Sequence, residues 1–535
     1  MTKTSKNVNL DSMLPREDFN IIGDITASTN NLLSLGIRDL EKSSLIRPHL
    51  RKPDFQRETN HWNPEQICSL IESFMDGDLI PSVIFWQSKD SPRIFVIDGG
   101  HRLSALCGWI EDDYGNGLTS KEFFGDEITA NQKKMHADTQ KLVNKVVGSF
   151  QYWKQLNSAD QSKITLADDQ KRRLQRFSSG TIPVQWVPGD ADKAETSFFK
   201  INTQGTPLDE IEELLIKNRK KPIAIAARSI IRAGMGHKYW SDFSHERIKI
   251  IEEKAKKLNK LLFEPEYDTP IKTLDLPLGG TAGVRTALSL LIDYILLANR
   301  NQQGAPKSVE DQSDDTGIES DDSAGLKTIE ALNRTLELTQ RMTGNENGSL
   351  GLHPAIYFYG SSGRFSAPNF MGMATLIARK LINNDKTFFV KFTEVRKDFE
   401  DILIQKRALL GTISQQTGSK KRYSVMADLF EFMIYGLAEK KIIDTNILVE
   451  KAGLKVDVLV PKAEASAAKF SDDTKSAVYI KTAIASALLC PVCEGYLSVH
   501  NSVSYDHVLP LKNGGKGGDE NCQLLHPYCN QSIKQ

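Results

Sequence analysis

Apolar and polar positions follow different patterns in successive parts of the chain. Residues 1–30 form a polar lead-in, whereas residues 31–298 mix short apolar runs with helical patterns and predict a domain of strands and helices. Residues 299–325 are rich in Asp, Ser, Gln and Gly without periodicity, which predicts an acidic linker or mobile loop. Residues 326–480 carry long runs with helical spacing and predict a helical domain, and residues 481–535 form a last module. The pattern predicts an α+β multidomain protein.

Caps, turns and apolar runs predict individual elements. Asn63 is a good N-cap and Pro64 suits a first helical turn, so NPEQICSLIESFMDG predicts a helix. Three runs predict strands: PSVIFWQ (81–87), RIFVIDGG (93–100) and TIPVQWVPG (181–189). Two segments predict helices, the second interrupted by a turn: HRLSALCGWI (101–110) and AETSFFKINTQGTPLDEIEELLIKNR (194–219). The helical domain has four long runs: LKTIEALNRTLELTQRM, MGMATLIARKLIN, KFTEVRKDFEDILIQKRALL and VMADLFEFMIYGLAEKKI.

Composition adds limits on function and location. The 535 residues correspond to about three domains at roughly 100–200 residues each. The 68 basic and 68 acidic residues cancel, but local clusters such as KRRLQR (171–176) and KNRKK (217–221) could still contact nucleic acid. The N-terminus lacks the apolar core of a signal peptide, and the run ALSLLIDYILLA is too short to span a bilayer and contains Asp293. We therefore expect a soluble cytoplasmic protein without a membrane partner.

The six cysteines are unevenly placed. Cys68 and Cys107 lie alone in patterned segments and are predicted to be small core residues. The pairs CPVC and HPYC near the C-terminus can supply four ligands to one tetrahedral zinc ion: Cys490, Cys493, His526 and Cys529. A bound zinc would replace the hydrophobic core that so short a module cannot build. Cys522 lies in an apolar patch and is predicted to be a packing residue.

Between the two pairs lies a second group of chemically active side chains. SYDHVLP predicts a strand, the following glycines a turn, and ENCQLLHPYCNQSI the start of a helix. Asp506 and His507 are not needed for the zinc. A His beside an Asp, followed by a Gly-rich turn and two Asn, suits metal-assisted phosphodiester hydrolysis, because the His can take a proton from water while carboxylate and amide oxygens hold a divalent cation. The alternative is an inert zinc ribbon.

This stretch resembles the zinc-knuckle form of the HNH endonucleases, which have the ββα-metal fold. The family pattern of CxxC, DHIxPxxxGG and NLxxLCxxCN reads here as CPVC, DHVLPLKNGG and NCQLLHPYCN. The resemblance implies that His507 is the general base, that Asp506 and Asn530 hold a catalytic Mg²⁺ or Mn²⁺, and that Asn521 orients the His507 side. It also implies a structural zinc, with His526 where the family usually has Cys. The C-terminal module would then be a cutting tool appended to a part of the chain that selects the target.

Three segments of the mixed region combine polar groups with the ends of apolar runs: RKPDFQRETNHW (51–62), VIDGGHRLSAL (96–106) and FFKINTQGTPL (198–208). In DGGHR, the glycines let backbone approach a ligand, Arg102 can pair with a phosphate, and Asp98 can position water or a metal. A glycine turn with a purely structural Asp98–Arg102 pair explains the same motif, and spacing alone leaves both interpretations open.

Together the three segments resemble the N-terminal domain of GmrSD-type restriction endonucleases, which has a ParB/sulfiredoxin-like fold. The family's YQR…W, DGQQR and FxxINTxGxxL motifs read here as FQR…W, DGGHR and FFKINTQGTPL, with Gly-His in place of Gln-Gln. The resemblance implies NTP binding or hydrolysis, sensing of modified DNA, and type IV restriction against phage or partnership with a modification system. The implied nucleotide-binding residues are Gln56, Arg57, Asp98, Gly99, His101, Arg102 and Asn202.

Three functions follow from these observations. The first is a modification-dependent DNA endonuclease, acting alone or as a homo-oligomer. The second is a nonspecific, toxin-like HNH nuclease that its N-terminal half regulates. The third is a non-enzymatic, zinc-containing DNA-binding regulator. The pair Asp506–His507 argues against the third function, and the size of the N-terminal region argues against the second.

Overall fold

The computed structural model describes most of the chain, in two compact units, Lys3–Arg219 and Lys220–Gln535. Within them the described residues are 7–17, 32–53, 56, 59–87, 92–124, 128–159, 165–189, 193–194, 197–198, 200–201, 210–234, 240, 243–281, 284–301, 321–419, 421–454 and 470–534. We call them the N-terminal and C-terminal units and describe each by itself. The domain boundaries at 30, 298, 325 and 480 stay predictions.

The N-terminal unit is built on a six-stranded mixed sheet. Its strands are β1 (Arg16–Glu17), β2 (Ser34–Gly36), β3 (Leu50–Pro53), β4 (Val83–Gln87), β5 (Ile94–Asp98) and β6 (Thr181–Trp186), in the order β1-β3-β5-β4-β6-β2. The central strand β5 runs parallel to β3 and antiparallel to β4, with Trp86 opposite Phe95. The three strands predicted from apolar runs are confirmed.

Both faces of β5 are buried, as its unbroken apolar run requires. Ile94 and Val96 point into the main core, whereas Phe95 and Ile97 pack in a second cluster with Phe198 on the other face. This division follows from the two-residue repeat of a strand. The helices of this unit are α1 (Pro64–Asp76), α2 (Gly100–Glu111), α3 (Leu118–Phe124), α4 (Ala130–Val146), α5 (Phe150–Ser158), α6 (Asp168–Ser179) and α7 (Glu210–Lys217).

Helix α1 begins as its sequence predicts. The Asn63 side chain accepts a hydrogen bond from the Gln66 amide at 2.8 Å, and the Gln66 side chain accepts from the Asn63 amide at 3.0 Å. Gly77 ends the helix in the left-handed conformation at φ 82°. Cys68 and Cys107 are buried on α1 and α2, which confirms the prediction for both.

In the C-terminal unit, the secondary structure of the described residues up to 484 is mainly helical. Its helices are α8 (Pro222–Ile231), α9 (His245–Phe263), α10 (Val284–Ala298), α11 (Leu326–Met342), α12 (Pro354–Tyr357), α13 (Ala367–Ile382), α14 (Lys386–Glu394), α15 (Arg396–Gln405), α16 (Arg407–Gln416), α17 (Arg422–Ala438), α18 (Thr445–Lys451) and α19 (Asp472–Ile484). Helices α13 and α17 pack closely at Gly372, where a Cβ atom would lie 2.5 Å from the Cβ of Met426. Among the described residues, no helix is long and apolar enough to cross a membrane.

One long helical run is divided by tertiary packing. The segment KFTEVRKDFEDILIQKRALL forms parts of α14, α15 and α16, with breaks at Val395 and Lys406. The run is helical, as its spacing predicts, but it forms three helices instead of one continuous helix. The break at Val395 starts α15 at Arg396, whose guanidinium is buried beside Glu400 one turn later.

The last fifty residues form a small hairpin module. Strand β7 (Ser504–His507) pairs antiparallel with β8 (Cys522–Leu525), with Asp506 opposite Gln523 and His507 opposite Cys522. The prediction that the segment from Glu520 starts a helix is wrong in its first half, because residues 522–525 complete the ladder of β7. The helical part follows, with a π-helix over Cys529–Ile533. Cys522 is exposed at the end of this ladder, so its predicted packing role is wrong as well.

Candidate active site

Four side chains of the C-terminal module form a buried cluster suited to a metal ion. The ligand atoms of Cys490, Cys493, His526 and Cys529 all lie within 4.8 Å of one another. Tetrahedral zinc, with bonds of about 2.3 Å to sulfur, needs ligand atoms roughly 4 Å apart, so the dimensions of the cluster are close to those that zinc requires. It is surrounded by Leu497 and Leu525, which exclude water.

Hydrogen bonds set the chemical form of the ligands. His526 Nε2 lies 3.0 Å from the carbonyl oxygen of Tyr496, which can only accept, so Nε2 carries the proton. Nδ1 is then unprotonated and lies 3.3 Å from Cys493 Sγ. Burial and the positive charge of Arg396 lower the pKa of His526. Hydrogen bonds among the three sulfurs lower the pKa of the Cys490 thiol and raise the pKa of Cys493 and of Cys529, so Cys490 is the first to become a thiolate, and zinc would have to displace the protons of the other two. A neutral imidazole and thiolates are the forms that bind zinc.

The second group of side chains lies at β7 and the π-helix. Asp506 Oδ2 contacts Lys534 Nζ at 2.5 Å, and the same ammonium donates to the carbonyl oxygen of His507 at 2.5 Å. The hydrogen bond from Lys534 holds the pKa of Asp506 below its usual value. Asn530 lies one turn before Lys534, and its Nδ2 donates to Ser504 Oγ at 2.6 Å. The π-helix thus contacts β7 at two alternating positions, through Asn530 at Ser504 and through Lys534 at Asp506, which precedes His507.

The Asn521 side chain holds the loop that follows His507 through hydrogen bonds to its backbone. Its Oδ1 accepts from the Leu509 amide at 2.6 Å, and its Nδ2 donates to the carbonyl oxygens of Leu509 and Lys516 at 3.1 and 2.9 Å. The same loop passes so close to Gly515 that a Cβ there would lie 1.9 Å from the Leu509 oxygen. Asn521 therefore acts on the backbone next to His507.

Sequence reasoning missed Lys534. The available signal was its position four residues after Asn530, which places both on one face of a helical turn. Nothing in the local pattern indicates that this face meets Asp506, because that contact depends on how the hairpin packs on the π-helix.

The DGGHR segment forms the connection between β5 and α2 in the N-terminal unit. Gly99 has φ 91°, and a Cβ there would lie 2.6 Å from a methyl group of Val83, so only glycine fits. Asp98 Oδ2 and Arg102 Nη2 form an ion pair of 2.7 Å, and Arg102 also donates to the carbonyl oxygen of Ser82 at 3.0 Å. The glycine turn and the structural ion pair are both present.

Two further predicted residues border this turn. The buried Gln56 donates from Nε2 to the carbonyl oxygen of Val96 at 3.1 Å, and its Oε1 has no hydrogen-bond partner in the described part of the chain. A Cβ at Gly100 would lie 3.1 Å from that oxygen. The His101 ring packs on Trp62 at 5.6 Å between centroids. The remaining predicted positions, Arg57 and Asn202, lie outside the described residues.

The basic cluster KRRLQR is partly structural. Arg173 pairs with Asp76 of α1 at 2.6 Å, and Arg176 Nε donates to the carbonyl oxygen of Phe74 at 3.2 Å. These contacts join α6 to α1, so at least two of its cations are committed to packing.

Models of known protein families match two separate parts of the chain. Residues 37–219 match the model described as GmrSD restriction endonuclease, N-terminal domain, and residues 490–535 match the model described as HNH endonuclease. The chain has the two domains of a GmrSD-type restriction endonuclease. Searches of curated proteins and of solved structures found no match.

These matches fit the geometry of each unit. The HNH match begins at Cys490, the first residue of the metal cluster, and includes β7, β8 and the π-helix. The GmrSD match ends at residue 219, where the N-terminal unit ends. The predicted α+β multidomain class is confirmed. The pair of domains supports a nuclease similar to those of type IV restriction.

Proposed function

We propose that this GmrSD-type chain is a modification-dependent DNA endonuclease whose C-terminal HNH module cuts DNA that its N-terminal unit has selected. The observation that carries the proposal is the packing of the π-helix on β7, with Asn530 at Ser504 and Lys534 at Asp506, next to a buried metal cluster that uses neither Asp506 nor Asn530. A zinc ribbon with only a structural role would have no need of this second group.

Each residue of the group has a role consistent with its contacts. The half-buried His507 imidazole makes no hydrogen bond with the described residues, which leaves it available to take a proton from water. Asp506 and Asn530 offer a carboxylate and an amide oxygen, the donors that Mg²⁺ and Mn²⁺ prefer. The ammonium of Lys534 lies on Asp506 Oδ2, so a metal ion at this carboxylate would have to displace it. When bound, the divalent ion would stabilise charge developing on the phosphate oxygens.

The buried cluster would hold a structural zinc through Cys490, Cys493, His526 and Cys529. Four ligands leave no open position, as is usual in structural sites. The role of this zinc would be to hold the strand pair and the π-helix together, because the module contributes few buried apolar side chains of its own.

For the N-terminal unit we propose NTP binding at the turn between β5 and α2. The turn offers peptide N–H groups at the start of a helix, which suits phosphate. The unpartnered Oε1 of the buried Gln56 supports a ligand on that side, while Arg102 would have to share its guanidinium between the ligand and Asp98. Hydrolysis of the NTP would couple this unit to sensing of a DNA modification, alone or with proteins of a modification system.

Plasmid cleavage by the full chain tests the nuclease proposal. The substrates are unmodified, phosphorothioated and glucosylated-cytosine DNA with Mg²⁺ or Mn²⁺, with and without nucleotide, and His507→Ala is the control. We expect cutting that depends on one modification and is lost in His507→Ala. Equal cutting of every DNA would support a nonspecific nuclease that its N-terminal half regulates, and metal-dependent cutting by His507→Ala at the wild-type rate would place the active site elsewhere.

Nucleotide binding is tested separately by calorimetric titration with ATP and GTP. We expect Arg102→Gln to weaken binding at least about tenfold, because a charge-assisted contact with phosphate is lost. The matched control is Arg93→Gln, which also breaks a surface ion pair of the same unit, with Glu17 at 2.9 Å. Equal affinities in wild type and Arg102→Gln would remove this turn from the proposal.

A further inference from the structure

The metal cluster lies against a buried ion pair of the preceding helices. Arg396 and Glu400 of α15 are 2% and 0% exposed, and Arg396 Nε contacts Glu400 Oε1 at 2.8 Å. Tyr357 donates its hydroxyl to the same oxygen at 2.7 Å. Arg396 also donates to the carbonyl oxygens of Leu350 and Gly351 at 2.5 and 3.0 Å. One carboxylate oxygen of Glu400 is thus fully used within the helical region.

The other carboxylate oxygen reaches into the HNH module. Glu400 Oε2 accepts a hydrogen bond from the Tyr496 amide at 2.7 Å. The carbonyl of the same peptide unit, Gly495 O, accepts from the Cys490 amide at 2.8 Å. The next carbonyl, Tyr496 O, accepts from His526 Nε2 at 3.0 Å. Two residues of backbone therefore connect Glu400 to two of the four metal ligands.

The two connections differ physically. Glu400 and Cys490 bond to opposite ends of one peptide unit, so the negative charge on the N–H side strengthens the carbonyl as an acceptor. His526 bonds to the neighbouring peptide unit, so its connection is geometric: fixing the Tyr496 amide fixes where the following carbonyl points. That carbonyl sets the tautomer and the ring orientation of His526.

The backbone of the HNH module packs closely against the Arg396–Glu400 ion pair. A Cβ atom at Gly495 would lie 2.6 Å from Arg396 Nε, so only glycine lets the knuckle approach the ion pair. Gly351, whose carbonyl oxygen accepts from the same arginine, has φ 57°, and a Cβ there would lie 3.0 Å from Cδ2 of His526. Backbone therefore packs against the metal cluster at both glycines with no space for a side chain.

Other buried contacts join the same two parts of the C-terminal unit. Tyr528, beside Cys529, donates its amide to the carbonyl oxygen of Ser349 at 2.9 Å. Ser502, fully buried, donates its hydroxyl to the carbonyl oxygen of Gly344 at 2.6 Å. The module is therefore embedded in the helical region, which differs from the appended tail that the sequence suggested.

We propose that Glu400 is a positioning residue for the metal ligands Cys490 and His526, acting through the backbone of Gly495 and Tyr496. The helical region and the HNH module then hold the zinc as one unit. This inference rests on the zinc assignment made under the proposed function, but it does not depend on DNA cleavage.

The test compares two double variants of the full chain that both remove the buried charges. Arg396→Met with Glu400→Met deletes the acceptor of the Tyr496 amide, whereas Arg396→Met with Glu400→Gln keeps a neutral acceptor of the same shape. Neither leaves an uncompensated buried ion, which would itself prevent folding. Zinc affinity is measured by competition with a chromophoric chelator, and Co²⁺ substitution gives a visible spectrum that reports the ligand geometry.

We expect the first double variant to bind zinc about 10- to 100-fold more weakly and to show an altered Co²⁺ spectrum, as is typical when a partner behind a metal ligand is lost. The glutamine variant is expected to regain most of that affinity. Tyr357→Phe removes one hydrogen bond to Glu400 Oε1 and keeps the bond from the Tyr496 amide to Oε2, so it is expected to lower thermal stability and leave zinc affinity unchanged.

Three results would overturn the inference. Wild-type zinc affinity in the methionine double variant would show that Glu400 does not position the ligands. Equal loss in both double variants would assign the effect to the missing ion pair. A wild-type protein that contains no zinc would overturn the zinc assignment together with the inference, whatever the outcome of the cleavage assay.

Discussion

Replacing Lys534 by Met should make the HNH module bind divalent metal more tightly. The ammonium of Lys534 lies on Asp506 Oδ2 at 2.5 Å and on the carbonyl oxygen of His507 at 2.5 Å. A metal ion that binds Asp506 has to displace it. Methionine keeps the length and the apolar stem of lysine and removes only the charge and the donors.

The size of the effect follows from the two contacts that the metal must break. The Lys534 and Asp506 side chains are 27% and 23% exposed, so the ion pair resembles a surface pair worth about 0.2–1 kcal/mol. The hydrogen bond to the His507 carbonyl adds about 0.5–1.5 kcal/mol. Removing a competition of about 1–2 kcal/mol corresponds to roughly 5- to 30-fold tighter metal binding.

Calorimetric titration of the zinc-loaded chain with Mn²⁺, without DNA, measures this affinity. The matched control is Lys512→Met, which removes one positive charge from an exposed position in the same module. It should change Mn²⁺ affinity by less than about twofold, because exposed charges are screened. Unchanged or weaker Mn²⁺ binding in Lys534→Met would refute the reasoning, since Asp506 would then not be a metal ligand for which Lys534 competes.

Three further predictions concern the metal cluster, the loop after His507 and the helical core. Cys490→Ser should lose zinc, whereas the exposed Cys522→Ser should keep it; equal zinc content by mass spectrometry would contradict the ligand set. Gly515→Ala, whose Cβ would lie 1.9 Å from a carbonyl oxygen, should slow cleavage at least about tenfold, while Gly517→Ala, with nothing within 4 Å, should not; equal rates would mean that this loop is unimportant. Burial lowers the pKa of His353 to about 4. The unfolded chain therefore binds more protons between pH 6.5 and about 4, and the free energy of unfolding should fall by about 3 kcal/mol as the pH drops through that window. His353→Gln should flatten this dependence in urea titrations at pH 7 and pH 5, and an unchanged slope would contradict it.

Much of the site could be predicted because its signals are local. The CPVC and HPYC pairs place four ligand residues within two short stretches of sequence, and the structure brings their ligand atoms within 4.8 Å of one another. The cap residue Asn63 and the apolar runs of β4 and β5 likewise specify their elements through neighbouring residues. In each of these cases the physical cause acts over a few residues along the chain.

The differences between the prediction and the structure have the opposite cause, because they depend on contacts between residues that are distant in the sequence. Cys522 looked like a packing residue because its neighbours are apolar, but the pairing of β8 with β7 leaves it at an exposed end of the ladder. The run from Lys391 to Leu410 has helical spacing throughout, yet it breaks at Val395, where Arg396 turns in to donate to the carbonyl oxygens of Leu350 and Gly351. Pairing and burial, which involve distant residues, override the local preference in both places.

By itself the sequence determined the ligand types, the family of each domain and most elements, because spacing along a strand or within a metal-binding pair is set by short-range geometry. Only the tertiary structure decided that Lys534 lies on Asp506, that Asn521 holds backbone beside His507, and that Glu400 reaches the knuckle through Tyr496. The last of these contacts joins residues 96 positions apart. Such contacts arise from the packing of whole elements against one another, and no short window of sequence contains both partners.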